Sequence, residues 1–241
     1  MFRQISARVK RFLASLALLS VEMIIILGLF AVALLTFVYT TRKIFVLDRT
    51  QFDQNVFSWL RSHISAHNTS VMDFFTFFGT PMFLIPANIL FIAYFVFIKK
   101  NRWYSIKFPA IALSSLGLMF GLKALFHRQR PADPVLAAAS GMSYPSGHAL
   151  FSMTFYGLLI YLIFKTIKNN ALKWVLISLL IIFIFIVGFS RIYLRYHYAS
   201  DVLAGYCVGF LWLVFAIWLL NKIEKQSQRK IDPIVRKPVN D

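Results

Sequence analysis

Six long apolar blocks set what this chain can fold into, and none of them holds more than two charged side chains. They run roughly Leu16–Tyr39, Phe74–Ile98, Ile106–Phe126, His148–Phe164, Leu172–Ser190 and Ala199–Leu220. The shortest sit near the lower limit of about 17 residues for a helix that crosses hydrocarbon. Lipid offers the backbone no hydrogen-bond partners, so each block is expected as a helix. The fold class that follows is all-α: a polytopic membrane protein with six transmembrane helices.

Composition fits this reading. The chain is 59% hydrophobic, far above a soluble domain of 241 residues. Lys and Arg number 26 against nine Asp and Glu, a net charge of +17. Such an excess points to nucleic acid or to membrane. Here apolar blocks separate the charges, so the bilayer is the expected partner and nucleic acid is not. The leader "RQISARVKR" resembles the start of a signal peptide, but the apolar run after it is too long and no small-residue cleavage site follows. It is read as a retained anchor. The expected organisation is a basic leader over 1–15, a six-helix membrane domain over 16–221 and a polar tail over 222–241. Cys207, alone in an apolar run, is expected to be a small packing residue.

The cations are not evenly shared. The leader, the links after the second and fourth blocks, and the tail hold 17 of them; the other links hold nine. Positive-inside bias puts the richer set in the cytoplasm, with both termini. The links after the third and fifth blocks then face outward. Segment 40–70 is not a span. Phe52, Val56, Trp59, Leu60 and Ile64 recur there at helical spacing, with Asp53, Arg61 and His63 between them. Two readings stand side by side: an amphipathic helix in the outer interface, or a cap packed on the bundle.

Three polar groups fall on the outward face. "KALFHRQRP" holds Lys123, Arg130 and Pro131; "PSGH" holds Ser146, Gly147 and His148; "SRIYLRYHYASD" holds Ser190, Arg191, His197 and Asp201. Ionisable groups near bilayer depth are costly and tend to mark function. Lys123, Arg130 and Arg191 have only Asp133 and Asp201 on the same links, so an anion from elsewhere is expected. Ser146 is placed to cap the fourth helix, and Gly147 lets a ligand approach the backbone. A helix N-terminus with guanidinium groups around it suits phosphate. His197 and Asp201 stand four apart and share a face if the last helix begins by Tyr196. A carboxylate there fixes the tautomer of an oriented base or nucleophile. His148, from another helix, is free for a second role. Taken singly, each group has a plainer reading as a helix start, a snorkelling cation or a solvated histidine. His127, Arg128, Tyr193, Tyr196 and Tyr198 are read as interface anchors.

Lys123, six residues, Arg130–Pro131; Pro145–Ser146–Gly147–His148; Ser190–Arg191, five residues, His197, three residues, Asp201: this pattern resembles the three-part signature of the type 2 phosphatidic acid phosphatase family. That family shares its site with vanadium haloperoxidases. The resemblance implies that His197 attacks phosphorus and forms a phosphohistidine, and that Asp201 orients it. It implies that His148 protonates the leaving lipid oxygen and then activates water. Lys123, Arg130, Ser146, Gly147 and Arg191 would hold the phosphoryl oxygens, with Ser190 a further signature position. The implied partner is a membrane lipid phosphate or diphosphate, such as polyprenyl diphosphate, phosphatidylglycerol phosphate or phosphatidic acid. No metal or other cofactor is implied. The sequence departs from common family wording at Arg195–Tyr196 and Ala199, none of them signature positions. Arg195 is open to two readings, a second phosphate or lipid headgroups. "PADPVLAAASGM" is apolar for a surface loop and is expected to dock on lipid or fold over the site. Three other functions fit parts of the pattern: a phosphotransferase with the same phosphohistidine, a non-catalytic lipid-phosphate binder or transporter, and a haloperoxidase. Lipid identity and oligomeric state are left unassigned.

Overall fold

The computed structural model describes residues 21–137 and 139–230. The basic leader, the start of the first expected span and residues 231–241 lie outside the described residues. The described chain is helices and loops, with no strand: α1 Val21–Phe45, α2 Gln51–Arg61, α3 Ala66–Phe77, α4 Pro81–Ala93, a π-helical turn Tyr94–Ile98, α5 Arg102–Phe126, α6 Gly147–Thr166, α7 Asn170–Tyr193 and α8 Ala199–Lys230. Six helical stretches are long and apolar enough to cross a membrane. The second is Ala66–Ile98, in which α3, α4 and the π turn follow one another.

Local chemistry sets the helix ends. Ser65, Asn101 and Asn169 each accept a hydrogen bond from the third backbone N–H of the helix they precede. Pro81 opens α4, where a missing N–H costs nothing. Helices overrun the apolar blocks because their polar first and last turns still satisfy the backbone ladder. The last helix overruns most. Its residues from Lys222, expected as a solvated tail, continue α8 to Lys230. Glu224 turns back to the buried Lys107 at 2.8 Å, and Asn221 accepts from the same ammonium at 2.7 Å. That pair ties the end of the bundle away from the α5–α6 and α7–α8 links.

α2 decides between the two readings of segment 40–70. Asp53 and Leu60 are buried. Leu60 packs with Tyr193 and Leu194, and Val56, Ile64 and Met72 surround it. α2 is therefore a cap on the bundle, while Phe52 and Trp59 on its other faces remain exposed.

α6 is the central helix and packs against α5, α7 and α8. Half of its apolar window is buried, whereas α1 buries nothing. The outer faces of α1, α4, α5 and α7 expose rows of Leu, Ile, Val and Phe. In water such faces would aggregate; in a bilayer they are solvated, and this is a multi-pass membrane protein. Between α6 and α8 the backbones meet. A Cβ on Gly205 would stand 2.6 Å from the Ser146 carbonyl oxygen, and one on Gly209 would stand 2.8 Å from that of Leu150. Two glycines four apart form the small-residue face along which membrane helices approach most closely.

This close approach gives a stability test. Gly205→Ala and Gly209→Ala should each cost about 1–3 kcal/mol by overpacking, read as a lower Tm in detergent. Gly28→Ala, with nothing within 4 Å of the new methyl, should leave Tm unchanged. Equal Tm for all three would mean that α6 and α8 do not touch.

Candidate active site

The end of α5, the start of α6, the end of α7 and the start of α8 meet at one end of the bundle. The segments are joined through their backbones: Ser146 N–H donates to the Asp201 carbonyl at 3.0 Å, bringing the second polar group onto the third. α7 closes with a Schellman motif. Tyr196 N–H returns to the Arg191 carbonyl, Arg195 N–H to that of Ile192, and Arg195 takes a left-handed φ of 55°. Glycine is the usual residue there; an arginine costs about 1–2 kcal/mol in this conformation. This turn delivers His197 to the mouth of α8.

His197 is 2% exposed and Asp201 0%. The last helix starts at Ala199, not by Tyr196, so His197 precedes it and the shared helical face does not arise. The two still meet. Asp201 is the third residue of α8 and accepts from Tyr198 N–H at 2.9 Å, half of a capping box. His197 Nδ1 stands 3.7 Å from Asp201 Oδ2, too long for a hydrogen bond. Ser143 fills the gap. Its Oγ lies 2.5 Å from Asp201 Oδ2 and 3.3 Å from His197 Nδ1. A carboxylate only accepts, so Ser143 donates to Asp201 and accepts the Nδ1 proton of His197. That tautomer leaves Nε2 with its lone pair, 3.4 Å from Arg130 Nη1. Burial, opposed by Asp201 and reinforced by Arg130 and Arg191, pulls the His197 pKa down to about 4.

The expected cation group is assembled, and its partners are neutral. Lys123 donates to the Met142 carbonyl. Arg130 donates to the carbonyls of Gly141 at 3.0 Å and Tyr196 at 2.8 Å. Arg191 donates to Thr76 Oγ1 at 2.7 Å and lies over the Tyr196 ring. Among the described residues no carboxylate forms an ion pair with any of the three. The apolar loop before Ser143 thus folds over the site, and its carbonyls engage two of the cations.

Ser146 stands at the N-cap position of α6, but its hydroxyl does not cap. Its Oγ is buried without a partner, as are His148 Nε2 and Arg191 Nε. Buried polar atoms left unpaired cost about 1–3 kcal/mol each, so their convergence is a call for a polar ligand. Gly147 opens α6, where a Cβ would make ordinary contact with Phe151 and Met119. His148 has Arg191, His197, Arg130 and Lys123 as its charged neighbours. Its ring packs on Gly79 between α3 and α4, where a Cβ would meet it at 2.8 Å. Ser190 is buried, and its hydroxyl is committed to the Val187 carbonyl at 2.7 Å. It lies on the site helix without a free donor.

Several participants were not legible in advance. Arg128 is no interface anchor: it bonds Asp201 at 2.5 Å and Asp53 of α2 at 2.8 Å. Burial works against its charge, but the two carboxylates outweigh it and raise its pKa. Tyr193 is buried, donating to the His63 carbonyl, and Tyr196 lies beneath Arg191. Arg195 stacks over Phe57 of α2. Ser143, Thr76 and Gly79 had no motif to mark them. Only the amphipathic spacing around Asp53, an acid on an otherwise apolar face, carried a signal.

The chain has relatives. The PAP2 superfamily model matches residues 104–225. Phosphatidylglycerophosphatase B of Bacillus subtilis (strain 168) is 27% identical over 163 residues, 66% of this chain and 78% of that protein. Undecaprenyl-diphosphatase BcrC of the same organism is 24% identical over 191 residues, covering 74% and 94%. The crystal structure of a transmembrane PAP2 type phosphatidylglycerolphosphate phosphatase from Bacillus subtilis superposes with a TM-score of 0.69 at 22% identity, over 85% of this chain and 98% of that one. At that identity the likeness is one of fold.

A group of cations without carboxylate partners should take a tetrahedral oxyanion. Orthovanadate titrated into the detergent-solubilised protein should bind, and Arg130→Ala or Arg191→Ala should each weaken it about tenfold or more. Unchanged affinity in both variants would remove them from any oxyanion site.

Proposed function

This chain belongs to the PAP2 superfamily, and on that premise we propose that it is a membrane lipid phosphatase working through a phosphohistidine. The observation that carries the reading is the pairing of His197 with the cation group. The Nδ1 proton is held through Ser143 toward Asp201, and Nε2 faces Arg130, one of three cations that lack a carboxylate partner.

In the first half-reaction His197 Nε2 attacks phosphorus while the bond to the lipid oxygen breaks. His148, protonated, gives that oxygen its proton. Lys123, Arg130 and Arg191, with the Ser146 hydroxyl and the N–H groups at Gly147, take the phosphoryl oxygens as charge shifts onto them. Asp201 balances the positive charge that His197 acquires. In the second half-reaction water gives a proton to His148 and attacks phosphorus, the P–N bond breaks, and inorganic phosphate leaves. Ser146 Oγ and Arg191 Nε gain through phosphate the partners they lack in the protein alone. Asp201 beside His197, and Asp53 behind it, are both bonded to Arg128. A hard cation seeking carboxylate oxygens finds them engaged, which supports a metal-independent reaction.

The substrate class is a lipid phosphate or diphosphate whose apolar part stays in the bilayer. The relatives' names support a phosphatidylglycerol phosphate or an undecaprenyl diphosphate. The bias of 17 cations to nine supports cytoplasmic termini and an outward-facing site.

Two measurements test the proposal. Phosphate release from a panel of lipid mono- and diphosphates in detergent should persist in EDTA and fall at least about 1,000-fold in His197→Ala. Loss of activity with EDTA, or a fully active mutant, would undo the assigned chemistry. The second is a pH profile. His197 attacks only when neutral, so its acid limb in kcat/KM should lie near 4, with activity lost below it, while the alkaline limb belongs to His148, which must carry its proton. Two substrates with different phosphate ionisation separate their own titration from that of the protein. A common acid limb at about 6.5, the usual imidazole value, would contradict a dry His197.

A further inference from the structure

Arg128 is bonded to the carboxylate behind the nucleophile and to nothing that the phosphate needs. Its side chain is 9% exposed, between Asp53 at 3% and Asp201 at 0%. Nη1 reaches Asp201 Oδ1 at 2.5 Å and Ser200 Oγ at 2.8 Å, while Nη2 reaches Asp53 Oδ2 at 2.8 Å. Asp53 also accepts from Ser200 N–H at 2.9 Å and Ser200 Oγ at 2.6 Å. The guanidinium plane rests 4.0 Å above the Tyr198 ring. These contacts fix the guanidinium on the far side of Asp201 from His197.

We propose that Arg128 is a positioning residue for the reaction: it clamps Asp201 through one carboxylate oxygen and joins it through Asp53 to α2. This rests on the phosphohistidine reading above. The division of labour within Asp201 is the reason. Oδ1 goes to Arg128, so Oδ2 remains for Ser143 and Tyr198 N–H, the route to His197. A flat guanidinium spans two carboxylates at once; an ammonium on a flexible stem does not hold them in one plane. Asp53 anchors α2 in turn, since Asp53 and Leu60 are that helix's buried residues. The cap helix thereby contributes to the orientation of the nucleophile without reaching it.

The charges predict a signature. His197 is faced by Asp201 from α8, Arg130 from the α5–α6 link, Arg191 from α7 and His148 from α6, with Lys123 of α5 beside Arg130 and Arg128 beyond Asp201. Removing Arg128 strengthens the pull of Asp201 on the imidazolium and raises the His197 limb. Removing the Asp53 charge leaves Arg128 less balanced and lowers it. A residue that only held the fold would not move the limb in opposite directions from two ends of one network.

The experiment compares wild type, Arg128→Gln, Arg128→Lys, Asp53→Asn, Arg130→Ala and His197→Ala in lipid-phosphate hydrolysis. Arg128→Gln should lower kcat about 100-fold with KM within about threefold, and Arg128→Lys should recover part of the loss. Arg130→Ala should instead raise KM. The acid limb of kcat/KM should rise by about half a unit or more in Arg128→Gln and fall in Asp53→Asn. Wild-type kcat and limb in Arg128→Gln would overturn the proposal and leave the phosphatase reading standing. A KM rise matching Arg130→Ala would also overturn it, making Arg128 a phosphate ligand. If Arg128→Gln does not fold, Asp53→Asn decides, and an unmoved limb there overturns the proposal. Phosphate release surviving His197→Ala overturns both readings together.

Discussion

A fully buried carboxylate organises this end of the molecule. Asp201 is shut away from water, and an ion so placed costs several kcal/mol unless donors surround it. Three donors answer, Arg128 and Ser143 from the link before α6 and the Tyr198 N–H at the mouth of α8, and Ser143 passes the contact on to His197. The backbone carbonyl of the same residue receives Ser146 N–H. One aspartate therefore fixes the start of α6, the start of α8 and the histidine between helices. Low dielectric makes the arrangement stiff, because any member that leaves strands a charge.

Charge is divided in two at this site. On one side Arg128 stands between Asp53 and Asp201, a set with one excess negative charge. On the other, Lys123, Arg130 and Arg191 stand among carbonyls, a hydroxyl and an aromatic ring. Such a group repels itself in the absence of an anion. It persists because the surrounding helices are packed for other reasons: Gly205 and Gly209 close α8 on α6, and Gly79 closes the α3–α4 turn on His148. Packing energy gathered through the bundle holds cations ready where a phosphate can offset their repulsion, which is the preorganisation that phosphoryl transfer requires.

The apolar blocks showed the number of spans, since nothing but a helix satisfies the backbone in lipid. The spacing of Lys123, Arg130, Ser146, His148, Arg191, His197 and Asp201 marked the segments that meet. Where reading failed, the cause was a contact across long stretches of chain. Arg128 looked like an interface anchor because its partner Asp53 lies 75 residues away. Ser143 carried no signal because the gap it fills exists only once His197 is displaced from the face of α8. Ser146 was expected to cap α6, and instead its hydroxyl is kept free.

What this sequence determined by itself was therefore periodic and local: which blocks are apolar, where cations accumulate, and which side chains sit at helix ends. Burial and helical spacing follow from short-range sterics and hydration, and these are written along the chain. What only the tertiary structure decided was pairing. Which cation takes a carboxylate and which keeps neutral partners, which oxygen of Asp201 serves His197, and that α2 reaches the site at all depend on distances between remote segments. Electrostatic and hydrogen-bond energies fall steeply over a few ångströms, so they have no value until packing has set those distances.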